Sequence, residues 1–143
     1  MILPDVNTLL YAVNRASDQH AAALRALRRG FDDPPGVAFA WTALLAFLRL
    51  TTRRGIFPKP LSLEDALRVI EHWLGHPRTQ VVHSGERHAE ILGRLLKLAG
   101  TAGNLTTDAD LAALAIEHGA TVLSFDRDFA RFEGVQWMLP TAD

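Results

Sequence analysis

The sequence predicts an α/β fold: a central, mainly parallel sheet with helices on both faces. Three observations point there. Short apolar runs alternate with longer, helix-periodic stretches along the whole chain. Aspartates stand where these patterns change, at Asp5, Asp108, Asp126 and Asp128. No repeat, low-complexity tract or long linker divides residues 1–143, so one domain is expected. A chain of 143 residues, 48% of them hydrophobic, is long enough and apolar enough to bury a core.

The elements follow in order. Ile2 to Asp5 reads as a short buried strand, and Asn7 to Val13 as a helical turn or two. Asp18 to Arg29 reads as a helix with Ala22, Leu24 and Leu27 on one side. Its end is basic at Arg25, Arg28 and Arg29, as the helix dipole favours. Asp32-Asp-Pro-Pro-Gly36 is a turn, and Val37 to Ala40 a strand. Trp41 to Arg54 is a helix stopped by Gly55, and Pro58-Lys59-Pro60 breaks the chain. Ser62 caps a helix reaching Trp73, with Asp65 at the capping-box position. Thr79 to His83 is a weak strand and Glu86 to Leu98 a helix ending at Gly100. After a loop over 101–107, Asp108 to His118 is a helix closed by Gly119. Thr121 to Ser124 is a strand, Asp128 to Phe132 a helical turn, and Val135 to Met138 an edge strand.

Composition removes several classes of function. There is no cysteine, hence no disulfide framework, thiolate metal site or thiol nucleophile. The formal net charge of −1 gives no general attraction to nucleic acid, so any such binding depends on local patches. No apolar run approaches the about 18 residues that a bilayer requires. No basic segment precedes the first strand, so no signal peptide is expected and a cytoplasmic protein is.

The aspartates are the candidate chemistry. In an open parallel sheet, ligands bind outside the carboxyl ends of the strands. Carboxylates converging there repel one another unless a hard cation lies between them, and oxygen-only sites suit Mg²⁺ or Mn²⁺. Such sites commonly run phosphoryl transfer or phosphodiester hydrolysis. Each aspartate also has a structural alternative. Asp108 suits the first turn of a helix, with Thr107 and Asp110 as a loose capping box, and Asp126 and Asp128 can start a turn. Asp5 ends a buried strand, where a charge is costly without a partner. Asn7 and Thr8 follow closely enough to bond its carboxylate or a water beside it. The six histidines offer only His72 and His76 at close spacing, where Gly75 and Pro77 end the helix. The three tryptophans read as packing residues, with Trp41 at a strand–helix junction able to stack on a base instead.

Four segments carry a resemblance: ILPDVNTLLYA over 2–12, LLAFLRLTT over 44–52, DADLAALAIEHGAT over 108–121 and SFDRDF over 124–129. In this order and spacing they resemble the PIN-domain ribonucleases, in particular the VapC toxins of bacterial toxin–antitoxin modules. The resemblance implies a PIN-like three-layer fold and a Mg²⁺- or Mn²⁺-dependent endoribonuclease acting on structured RNA of translation, tRNA or ribosomal RNA. It implies that Asp5, Asp108 and Asp126 are catalytic metal ligands, with Asp128 nearby. A VapB-like antitoxin and a homodimer are implied as well. Phe39, Trp41, Leu44 and Phe57 are an apolar surplus that fits such partners. The family's second acid, a glutamate, falls at Ala46 here, a departure that bears on metal number and activity. Asp110 is a possible substitute, whereas Glu117 lies too far along its helix. Ala46, Arg49 and Arg53 share a helical face, so Arg49 and Arg53 can bind a backbone phosphate at the rim, or pair with Glu64 or Asp65.

Two other readings remain open. The Asp5-Val-Asn-Thr8 run resembles the opening of haloacid-dehalogenase-type phosphatases. These want a second acid where Asn7 stands, and a late lysine, for which only Lys59 and Lys97 are available. A catalytically weakened PIN-fold binding protein would also explain Ala46.

Overall fold

A computed structural model describes residues 1–55 and 59–143. Phe57 and Pro58, named above in the apolar surplus and the chain break, lie outside the described residues. Among these residues five strands form one sheet: β1 (Ile2–Pro4), β2 (Val37–Ala40), β3 (Thr79–Val82), β4 (Thr121–Leu123) and β5 (Gln136–Met138). The order is β3-β2-β1-β4-β5 and every pairing is parallel. The helices are α1 (Val6–Val13), α2 (His20–Asp32), α3 (Trp41–Thr52), α4 (Leu63–Leu74), α5 (His88–Ala99) and α6 (Thr106–His118). The predicted parallel α/β architecture is the observed one.

A parallel sheet covered on both faces needs apolar residues on both, and β2 shows the division. Val37 and Phe39 face α1 to α4, while Ala38 and Ala40 face α5 and α6, all four buried. Phe39 stacks on Trp73 at 5.8 Å between ring centroids, and Phe47 meets the same indole at 5.0 Å. Phe39 and Leu44 are therefore core residues and not surplus for a partner, since neither has any exposed surface. Burial of such a side chain contributes about 2–3 kcal/mol.

At α2, α3 and α6 the boundaries differ from expectation for local reasons. Helix α2 starts at His20 and runs through Gly30 to Asp32. An added Cβ at Gly30 would stand 2.3 Å from Ile2 Cδ1, so this glycine lets the helix lie close on β1. Helix α3 ends at Thr52, and Arg53 is extended, with φ −90° and ψ 130°. The expected common face of Ala46, Arg49 and Arg53 is thus lost at Arg53. Helix α6 begins at Thr106 behind a 3₁₀ turn over Gly103–Leu105, with no side-chain cap, so the Thr107–Asp110 capping box does not form. Ser62 does cap α4 as expected, accepting from Asp65 N at 3.1 Å. Ser62→Ala should cost about 1 kcal/mol, read as the change in unfolding free energy in urea.

The topology positions the site. From β1 the chain steps outward to β2 and β3, then crosses back through α5 and α6 to β4 on the other side of β1. The switch point lies between β1 and β4, and at the carboxyl edge there the neighbouring chain ends open a crevice. Asp5 leaves β1 and Ser124 leaves β4 at this edge.

Candidate active site

Asp5 is fixed from three sides. Its backbone N–H donates to Leu123 O at 3.0 Å, tying it to β4. Its Oδ1 accepts from Val6 N at 2.7 Å, capping α1. Its Oδ2 accepts from Ser124 Oγ at 2.9 Å. The residue is 8% exposed. Burial raises its pKa above the ordinary value, the Ser124 and Val6 hydrogen bonds oppose this, and the charge of Asp126 adds to the rise.

Ser124, whose role the sequence motif does not reveal, organises this edge. It is fully buried. While donating to Asp5, its Oγ accepts from Asn7 Nδ2 at 3.1 Å and from Asp126 N at 3.0 Å. One donor and two acceptor sites are the full capacity of a hydroxyl. Its carbonyl accepts from Trp137 Nε1 at 3.0 Å, so β5 braces the same residue. The only advance signal was a small polar residue at the end of a buried strand.

Asn7 and Thr8 do not reach the Asp5 carboxylate. Asn7 Oδ1 accepts from Phe125 N at 3.2 Å, and Thr8 Oγ donates to Leu123 O at 2.8 Å. Both tie α1 to the end of β4, and Asn7 touches Asp5 only through Ser124. Asp126 caps the 3₁₀ turn over Arg127–Arg131, accepting from Asp128 N at 2.8 Å. Asp128 is exposed beside it.

Asp108 sits in the first turn of α6, half-buried. Burial first, and then the charges of Asp5, Asp126 and Asp128, push its pKa from an ordinary 3.8 to about 7. The structure thus brings these four carboxylates into one electrostatic neighbourhood. Asp110 is not in it. Two residues along a helix is a rotation of about 200°, and Asp110 bonds His88 Nε2 on α5 at 2.7 Å instead. Asp110 therefore does not stand in for the missing acid, contrary to expectation.

Ala46 lines a small cavity with Asp5, Thr42, Ala43 and Thr107. Arg49 is exposed one turn further along α3. Asp65 pairs with Arg68 at 3.1 Å, and among the described residues no carboxylate pairs with Arg49 or Arg53. Trp73 is core, and Trp41 is 44% exposed at the start of α3.

The donor chemistry fits a hard divalent cation: oxygen atoms only, several carboxylates, and one carboxyl raised by burial and by its neighbours' charges. Among the described residues, no three acidic or histidine side chains already form a closed metal cage. Asp108 gives the metal-free protein a pH signature. Its folded pKa lies above its unfolded one, so the folded state binds the proton more tightly. Stability should therefore fall as pH rises from about 4 to about 7. Melting of the metal-free protein across that range should show this slope, and Asp108→Asn should reduce it. It should not vanish, because the Asp5 carboxyl is raised in the same direction. An unchanged slope would place Asp108 outside the cluster.

A doubly wound parallel sheet with clustered carboxylates at its switch point defines a class, the acidic-site α/β hydrolytic domains that act on phosphate esters. The PIN domain family matches residues 2–135. Ribonuclease VapC37 of Mycobacterium tuberculosis is 49% identical over 142 residues, 99% of each chain. The crystal structure of VapC20 from the same species, described as a sarcin–ricin loop cleaving toxin, superposes with a TM-score of 0.68 at 21% identity. It covers 95% of this chain and 99% of that one. VapBC2 of Rickettsia felis, solved bound to a promoter DNA fragment, gives 0.66 at 19% identity, over 97% and 98% of the two chains. The chain belongs to the PIN-domain family and, within it, to the VapC ribonucleases.

Proposed function

We propose that the chain is a Mg²⁺- or Mn²⁺-dependent endoribonuclease toxin that hydrolyses phosphodiester bonds in structured RNA of translation, tRNA or ribosomal RNA. The observation that carries this reading is the gathering of Asp5, Asp108, Asp126 and Asp128 at the switch point, where Ser124 and Val6 hold the Asp5 carboxylate and the charges of the other three add to burial in raising the Asp108 pKa to about 7. Asp5, Asp108 and Asp126 would hold the cation, with Asp128 beside them. The chemistry that Mg²⁺ would supply there is positive charge against the scissile phosphate and a lowered pKa for an attacking water. Ser124 fixes the Asp5 carboxylate through Oδ2, and Val6 N fixes it through Oδ1. A carboxylate of the cluster orients the attacking water in line with the leaving oxygen. Arg49, exposed beyond Ala46 on α3, takes a backbone phosphate of an unpaired RNA segment.

The same reading gives the chain a VapB-like antitoxin, a homodimeric state and a cytoplasmic location. The VapBC complexes among its structural relatives support the antitoxin. Four exposed large hydrophobics, Trp41, Leu45, Leu63 and Leu67, lie on the packed pair α3 and α4, a surface suited to protein partners. No helix among the described residues is long and apolar enough to cross a membrane. The phosphatase reading loses its support, because Asn7 is committed to Ser124 and Phe125 where a second acid would be needed. Ala46 beside Asp5 favours one second reading, a PIN-fold binding protein with weakened catalysis.

Purified protein incubated with total RNA separates these readings. Fragments with 5′-phosphate ends, produced with Mg²⁺ or Mn²⁺ and absent with a chelator, are the expected result. RNA binding without cleavage at any metal concentration would favour the binding protein.

A further inference from the structure

Outside the crevice, a cluster of titratable groups lies between α5 and α6. The His88 side chain, at the start of α5, is 13% exposed. Its Nε2 is 2.7 Å from Asp110 Oδ1, and its Nδ1 lies against Glu117 Oε1. Glu117 Oε2 also accepts from Gly85 N at 2.7 Å, in the segment leading into α5. A carboxylate only accepts. A neutral imidazole has one N–H and one bare nitrogen, so it serves one carboxylate and sets a lone pair against the other. Two carboxylates on the two ring nitrogens call for an imidazolium. Burial opposes that charge, but the hydrogen bonds and charges of Glu117 and Asp110 outweigh it, and the ring's pKa is raised. The other charged groups nearby are occupied. Arg87 pairs with Glu90 on α5's own first turn, and the His118 ring, next to Glu117, bonds His83 O at 2.8 Å.

Asp110 and Glu117 are seven residues apart, so the clasp spans about 10 Å of α6. Asp108 lies about 200° around the same helix from Asp110 and faces the crevice. A roll or slide of α6 that broke the clasp would carry Asp108 with it. We propose that His88 is a positioning residue for Asp108: bonded to Asp110 and Glu117 as an imidazolium, it fixes the roll of α6 that holds Asp108 beside Asp5 and Asp126. This rests on the reading of the crevice as the cation-binding centre of a nuclease.

The test uses the full chain freed of metal, with Mn²⁺ as the probe and binding followed by paramagnetic resonance at pH 7. Nitrogen-15 shifts of the His88 ring report its protonation in the same samples. His88→Gln should weaken Mn²⁺ binding about tenfold, the usual effect of losing an outer partner of a metal site. His88→Arg, which carries permanent charge and several donors, should restore binding. Ile91→Val, a packing change on α5, should lower the melting temperature and leave binding unchanged. If His88→Gln does not fold, Asp110→Asn keeps the Glu117 bond and should weaken binding in the same direction. Normal Mn²⁺ binding in both clasp variants overturns the positioning role while leaving the cation centre intact. A neutral His88 ring at pH 7 overturns it as well. A wild type that binds no Mn²⁺ overturns the cation centre and the proposal together.

Discussion

Asp5→Asn should abolish RNA cleavage without unfolding the protein. The carboxylate sits at the centre of the crevice, 8% exposed, and its charge is what a cation there would neutralise. Removing it should lower the single-turnover rate by at least about a thousandfold, the factor that several kcal/mol of charge stabilisation implies. The amide still offers an oxygen to Val6 N, so the cap on α1 survives, but its Nδ2 faces Ser124 Oγ, whose two acceptor sites are taken, and that buried hydrogen bond is lost. The substitution also removes a buried charge that Asp126 and Asp108 both oppose. The lost bond and the relieved repulsion oppose each other, and the metal-free variant should melt close to the wild type. Retained cleavage in a folded Asp5→Asn protein would move the chemistry away from the switch point.

Ala46→Glu should act in the opposite direction, and on two observables. The residue lines the cavity beside Asp5, so a glutamate there adds a fifth carboxylate to the cluster. Without metal, that charge should push the carboxyl of Asp108 further up and lower the melting temperature above neutral pH. With metal, ligand charge raises divalent affinity, so the Mg²⁺ concentration for half-maximal cleavage should fall about tenfold. Mg²⁺ should also raise the melting temperature more than in the wild type. Arg49 lies one turn away on α3, and a pair between it and the new carboxylate would blunt both effects. The double change Ala46→Glu with Arg49→Ala removes that escape. An unchanged Mg²⁺ midpoint in both proteins would mean that residue 46 contributes nothing to the cation site.

The strands and the acidic edge were legible because their signals are local. Ile2 to Pro4 is apolar and is followed at once by an acid, and Thr121 to Leu123 repeats the pattern before Ser124 and Asp126. The parallel sheet followed from strands alternating with helices. Contacts remote in sequence were not legible. The clasp joins residues 88, 110 and 117 across two helices, and nothing near His88 in the chain marks it. Asp110 looked like a neighbour of Asp108, but helical rotation sends it to the other side. Arg53 looked helical, but Thr51 and Thr52 turn their hydroxyls back on Phe47 O and Leu48 O, both at 2.8 Å, and the helix stops there. Phe39 and Leu44 looked like surplus to the needs of one core in a small chain, but both are fully buried between the sheet and its helices.

The switch point joins the two ends of the chain. Ser124 and Asp5, which meet at 2.9 Å, are separated by 119 positions in sequence. Strand β1 is made first and can pair early with β2, but its other edge stays vacant until β4 arrives. During synthesis that interval lasts on the order of ten seconds. A nascent or prematurely ended chain that stops before Thr121 carries Asp5 and Asp108 but has no β4 against which to hold them. Translation products that end before Thr121 should therefore lack hydrolytic activity.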